Sequence, residues 1–117
     1  KAYQEATTNA EDPQKVMTRF EAWINENSHE KPIFISDNNG FDAMFISWYF
    51  HLFLGRNPFG HSSQNLGSLY KGVVKDMFTN FKHLRKTLHT HNALDDARGN
   101  AEALLEIKRQ YGLKMRL

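Results

Sequence analysis

The stretch Pro32-Ile33-Phe34-Ile35-Ser36-Asp37-Asn38-Asn39-Gly40-Phe41-Asp42 decides the fold class. Ile33 to Ile35 form a short apolar run bounded by a polar loop on one side and a turn cluster on the other, the pattern of a buried strand. Asp37-Asn38-Asn39-Gly40 supplies the turn. From Asp42 to Leu54 the chain is apolar nearly all round, which predicts a helix buried on most sides. Asp42 then falls where the strand's C-terminal end meets a helix start, the usual location of sites in open α/β sheets. A helix N-cap is the simpler role for the same aspartate.

Outward from this unit the chain reads as mostly helical. Residues 1–11 are polar and weakly helical. Asp12-Pro13 is a helix start, after which Val16, Met17, Phe20, Trp23 and Ile24 recur at helical spacing through about Asn27. Downstream of the apolar helix, Gly55 to Gly60 form a break. A short helix is predicted around Leu66 to Lys71, and an irregular basic segment then runs through His91. The last helix spans Ala93 to Tyr111, with Ala97, Ala101, Leu104, Leu105 and Lys108 along one side and Gly112 as C-cap.

A single strand leaves unpaired N–H and C=O groups on both edges, which a core does not tolerate. Only Gly72-Val73-Val74 offers a weak second strand. Strand 33–36 is therefore expected to need neighbours from elsewhere, and the chain to be part of a larger fold. An interior-type start at Lys1 agrees with that expectation.

Composition narrows the class. The 117 residues are 40% hydrophobic and 24% charged, as in a folded soluble protein. A net charge of +2 is too mild to name a partner, but its distribution is uneven. Between Lys71 and His91 lie five Lys or Arg residues (Lys71, Lys75, Lys82, Arg85, Lys86), three His and one acid, Asp76. The absence of cysteine excludes disulfides and Cys-type zinc sites. No apolar run approaches the roughly 20 residues that span a bilayer, so no membrane partner is expected and a cytoplasmic location is.

Two further groups carry chemistry. In His91-Asn92-Ala93-Leu94-Asp95-Asp96, His91 sits in a loop and Asp96 in the first turn of the last helix, where the helix dipole favours an ionised carboxylate. The basic segment before it is interleaved with Phe78 and Phe81. His89 and His91 form H-x-H, but zinc would require a Cys or a third placed His. Phe41, Phe45, Trp48, Tyr49 and Phe50 read as core packing, and Asp95 as a solvated or capping neighbour of Asp96.

N-x-x-F-D after a strand, then H-x-A-x-x-D-A at a helix start about fifty residues later, resembles the second and third motifs of the DEDDh-type 3′→5′ exonucleases. The matching residues are Asn38, Phe41 and Asp42, then His91, Ala93, Asp96 and Ala97. The resemblance covers roughly residues 14 to 108. It implies an RNase H-like α/β fold, present here mainly as its helical C-terminal half with one clear strand. It also implies a two-metal phosphodiesterase using Mg²⁺ or Mn²⁺. Asp96 would be a direct metal ligand, Asp42 would hold the second ion, and His91 would be the general base. Asn38, Phe41, Lys82, Arg85 and Lys86 would contact a single strand of DNA or RNA.

The family's first motif, a D-x-E on the opening strand, is absent. Glu11-Asp12 has the wrong order and sits at a helix start. Two carboxylates carry too little negative charge for a pair of divalent ions. The expected partner is therefore the missing N-terminal half of the same domain, and the isolated chain should be inactive and prone to form a homo-oligomer. The competing expectation is an inactive nucleic-acid-binding or scaffolding domain derived from the family.

Overall fold

A computed structural model describes Gln4 and residues 7–116. The helical expectation for residues 1–3, 5 and 6 lies outside the described residues. The described chain contains helix α1 (Pro13–Asn27), strand β1 (Phe34–Ser36), helix α2 (Asn39–Leu54), strand β2 (Ser63–Asn65), helix α3 (Leu66–Val74), a 3-10 turn (Lys82–Leu84) and helix α4 (Ala93–Tyr111). Residues up to Ile33 and Ala43–Ser62 form one compact unit; Phe34–Asp42 and Ser63 onward form a second. No helix among the described residues is long and apolar enough to cross a membrane.

In the first unit α1 starts where Asp12 accepts a hydrogen bond from the Gln14 amide ahead of Pro13. Its buried residues, Met17 and Ile24, join Phe50 of α2, with Phe20, Ile46, Phe53, Leu54 and Phe59 packed around them. Arg56 clamps Glu21 through two hydrogen bonds of 2.7 Å. Glu11 pairs with Arg19, and the guanidinium holds its carboxyl below the usual range.

Helix α2 differs from the expectation of burial on most sides. Phe50 is fully buried, whereas Phe41, Met44, Phe45, Trp48, Tyr49 and Leu52 are all exposed. A composition apolar on every face does not by itself say which face is covered.

In the second unit β1 does have a neighbour, which corrects the expectation of one strand. Strand β2 lies parallel to it, in the register Phe34–Ser63, Ile35–Gln64 and Ser36–Asn65. Ile33 stays outside the strand and is 68% exposed. Ser-Gln-Asn has little strand propensity. Side-chain bonds hold it instead: the Ser63 hydroxyl donates to Asn39 Oδ1 (2.6 Å) and Asn65 Nδ2 to the Asp37 carbonyl (2.9 Å). Gly72-Val73-Val74 closes helix α3 rather than forming a strand.

The core of this unit is Leu66, Tyr70, Phe81, Leu84, Ala103 and Ile107, flanked by Ile35, Leu69, Val73, Val74, Leu104 and Leu113. Helix α4 buries Gly99, Ala103 and Ile107, a stripe of period four. Ala97, Ala101 and Leu105, expected on the apolar side, are exposed. Gly112 ends the helix with a φ of 67°, and its N–H closes on the Lys108 carbonyl.

Candidate active site

Two segments of the second unit carry the motif residues, and a third joins them. The first is the turn between β1 and α2. The Asn38 carbonyl accepts from the amides of Phe41 (3.0 Å) and Asp42 (3.1 Å), so α2 starts earlier than Asp42. Asp42 is thus not the N-cap. It lies in the first turn, where the helix dipole favours its charge. Its half-buried carboxylate has no hydrogen-bond or ion-pair partner among the described residues. Asn39, buried, braces the turn by donating to Ser36 Oγ (3.4 Å) while accepting from Ser63.

The second segment is the entry to α4. Asn92 caps the helix, its Oδ1 accepting from the amides of Leu94 (2.9 Å) and Asp95 (3.4 Å). Thr90 adds a second knot, donating from its hydroxyl to Asp95 (2.7 Å) and accepting from the Asn92 amide (3.3 Å). His91 between them is exposed and held in the left-handed region at φ 62°. Such a conformation costs about 1–3 kcal/mol in a non-glycine residue and persists only where neighbours enforce it. Here the two capping knots do.

Asp95 is therefore a structural brace, and Asp96 is the carboxylate left for other work. Asp96 Oδ1 is buried and accepts no well-aligned hydrogen bond; its near neighbour is His89 Nδ1 at 2.6 Å, an ion pair when that imidazole is protonated. A buried, unsatisfied carboxylate oxygen is costly. A carboxylate oxygen so placed is a donor that suits a hard divalent cation. The His89 and His91 rings meet edge to face at 4.4 Å. No group of three or more His, Cys, Asp or Glu able to hold a metal occurs among the described residues. Asp42, Asp96 and His91 thus do not complete a metal centre by themselves.

The third segment, residues 85–87, ties the other two together. Arg85 Nη2 lies 3.1 Å from Asp37 Oδ2 and 2.6 Å from Asn100 Oδ1, and its guanidinium stacks 5.0 Å over the Phe81 ring. With 7% of its side chain exposed, Arg85 is a buried brace rather than the phosphate contact expected from the basic run. One nitrogen, Nη2, serves both partners, while the flat guanidinium lies over the Phe81 ring. Glu102 of α4 accepts from the amides of Lys86 (2.8 Å) and Thr87 (2.7 Å) and from the Thr87 hydroxyl (2.9 Å). These bonds, Thr87's first, lower the Glu102 pKa. Gly99 permits this close approach: a Cβ there would stand 3.1 Å from Arg85 Cδ and 3.2 Å from the Thr87 carbonyl.

Lys82 and Lys86, like Asn38 and Phe41, are exposed. The sequence reading missed Asp37, Arg85's bracing role, Asn100, Glu102 and the His89 contact. Each acts through a partner distant in sequence, so only the strand-end position of Asp37 was visible beforehand.

Comparison with known proteins agrees with the family resemblance. The exonuclease family of RNase T matches residues 1–104. A 3′-5′ DNA exonuclease of Escherichia coli, Cap18, is 38% identical over 100 residues, covering 78% of this chain and 54% of that protein. The chain therefore spans about half the length of the curated relative it matches.

Proposed function

The chain belongs to the RNase T family of 3′→5′ exonucleases, and from that premise we propose that it forms the C-terminal part of one exonuclease domain hydrolysing single-stranded nucleic acid from the 3′ end. The observation that carries this reading is the buried, unsatisfied Asp96 Oδ1 at the start of α4. The half-buried, unpartnered Asp42 supports it.

Both carboxylates fit a divalent centre. Asp96 and Asp42 would hold Mg²⁺ or Mn²⁺, hard cations that prefer oxygen donors. When bound, such ions polarise the attacking water and stabilise charge on the leaving 3′ oxygen. Asp42 and Asp96 supply fixed negative charge at two helix starts. His91, exposed in the loop that leads into α4, takes the proton from water at an imidazole nitrogen. Asn38 and Phe41 face the terminal nucleotide, while Lys82 and Lys86 hold backbone phosphates. Arg85 positions both motif segments and touches no substrate.

Two carboxylates are too few for two divalent ions, so we place the remaining ligands in a D-x-E motif carried N-terminal to this stretch. The relative's greater length is consistent with that placement. A second reading, an inactive nucleic-acid-binding or scaffolding domain, would keep the exposed Lys82 and Lys86 for strand binding without catalysis.

A 5′-labelled single strand incubated with the intact protein and Mg²⁺ separates the readings. The exonuclease reading expects a ladder shortening from the 3′ end that disappears with chelator and with Asp96→Asn. Binding of the strand without any shortening would select the inactive module.

A further inference from the structure

We propose that Phe78 is a stacking platform for one base of a single-stranded nucleic acid, an inference that rests on the exonuclease reading and adds a contact to it. The segment from Lys75 to Leu84 contains two phenylalanines with opposite fates. Phe81 is 1% exposed and anchors the core beside Leu84 and Tyr70. Phe78 is 99% exposed, with Met77 before it 71% exposed.

The exposure of Phe78 is imposed by the backbone. Helix α3 ends at Lys75 in the left-handed conformation (φ 59°), and the Asp76 amide still bonds the Lys71 carbonyl at 3.1 Å. Asp76 Oδ1 then accepts from the Phe78 amide (2.9 Å) in an Asx turn. Asn80 repeats the device on the Lys82 amide (3.0 Å), and the 3-10 turn follows, with the Leu84 amide on the Phe81 carbonyl. Tyr70 on one side and Phe81 on the other pin the ends of this loop. A pinned loop lifts the ring into water instead of letting it fold back.

Its surroundings say what the ring would meet. The loop belongs to the most basic part of the sequence, where Lys71, Lys75, Lys82 and Lys86 accompany a single acid, Asp76. Lys75, Lys82 and Lys86 are exposed. A protein partner would call for a broader apolar patch. An exposed aromatic in a lysine-rich segment is instead the pairing that holds single strands, cations tracking phosphates while a ring stacks on a base. Every base offers a π face, so the contact adds affinity without sequence preference.

The test measures binding of a fluorescein-labelled oligothymidylate to the intact protein by anisotropy, with chelator present to prevent cleavage. Phe78→Ala should weaken binding by about tenfold, and Phe78→Trp should hold it within about threefold. The salt dependence should not change, because the phosphate contacts remain. Thermal stability should also stay at the wild-type value, since the ring packs on nothing. Equal affinity of wild type and Phe78→Ala overturns the proposal while leaving the exonuclease reading intact. A Phe78→Ala protein that changes oligomeric state but not oligonucleotide affinity overturns it too, by assigning the ring to a protein contact. A wild type that neither binds nor shortens the strand removes both readings together.

Discussion

Arg85 and Asp37 form an ion pair of 3.1 Å that joins the turn before Asp42 to the loop before His91. Through Nη2 the same guanidinium also reaches Asn100 on α4, so one side chain fixes both motif segments. The Arg85 side chain is nearly buried, whereas Asp37 keeps 38% of its own exposed. Arg85→Met should therefore destabilise the protein by about 2–3 kcal/mol, below the ~3–5 of a fully buried pair, because Asp37 can rehydrate. Denaturant unfolding measures this. A variant within about 0.5 kcal/mol of wild type would mean that the brace carries no stability.

Gly99 and Gly72 should respond oppositely to alanine. Both are helical, and alanine is intrinsically better there by about 1 kcal/mol. At Gly72 a Cβ meets nothing within 4 Å, so Gly72→Ala should stabilise by about 0.5–1 kcal/mol. At Gly99 it meets Arg85 and the Thr87 carbonyl, so the overpacking penalty of about 1–3 kcal/mol should win and lower the melting temperature.

Glu102 makes the loop pH-sensitive. Its pKa is lowered by the Thr87 and Lys86 hydrogen bonds, so this contribution is present above the normal carboxylate range and is lost as pH falls through the lowered value. Hydrogen exchange at the Lys86 and Thr87 amides should accelerate there, relative to the core amides of α4. Glu102→Gln should show the faster exchange already at neutral pH. Protection of those two amides that is independent of pH and of this substitution would contradict the assignment.

Asn92 supports the strained His91. Asn92→Ala removes the acceptor for two amides and should cost about 0.5–2 kcal/mol. Asn92→Asp should restore most of it, since aspartate caps as well. Comparing the unfolding midpoints of the two variants separates the cap from general packing.

Much of this was legible in the sequence because it is local. Asp12-Pro13 set the start of α1, and Ala93 to Gly112 marked α4 with its cap. The motif spacing pointed to Asp42, His91 and Asp96 before any contact was known. The family that those motifs resemble is the one the comparisons show. Strand β2 was not legible, because Ser63-Gln64-Asn65 is extended by bonds to Asn39 and Asp37 rather than by its own propensity. Arg85 misled for a related reason: a cation in a basic run reads as surface until its buried partners are seen. The exposed side of α2 was hidden by uniform hydrophobicity, and the buried side of α4 by alanines spread over several faces.

The central claim is that Asp96 holds a metal ion and His91 moves a proton. Mn²⁺ titration of the intact protein, compared among wild type, Asp96→Ala and His91→Ala, tests it most directly. Asp96→Ala should weaken Mn²⁺ binding by more than about tenfold, because a charged ligand is lost. His91→Ala should bind Mn²⁺ within about twofold of wild type, because a base is lost but not a ligand. Equal Mn²⁺ affinity in wild type and Asp96→Ala would contradict the account, leaving the unsatisfied oxygen of Asp96 without the function assigned to it.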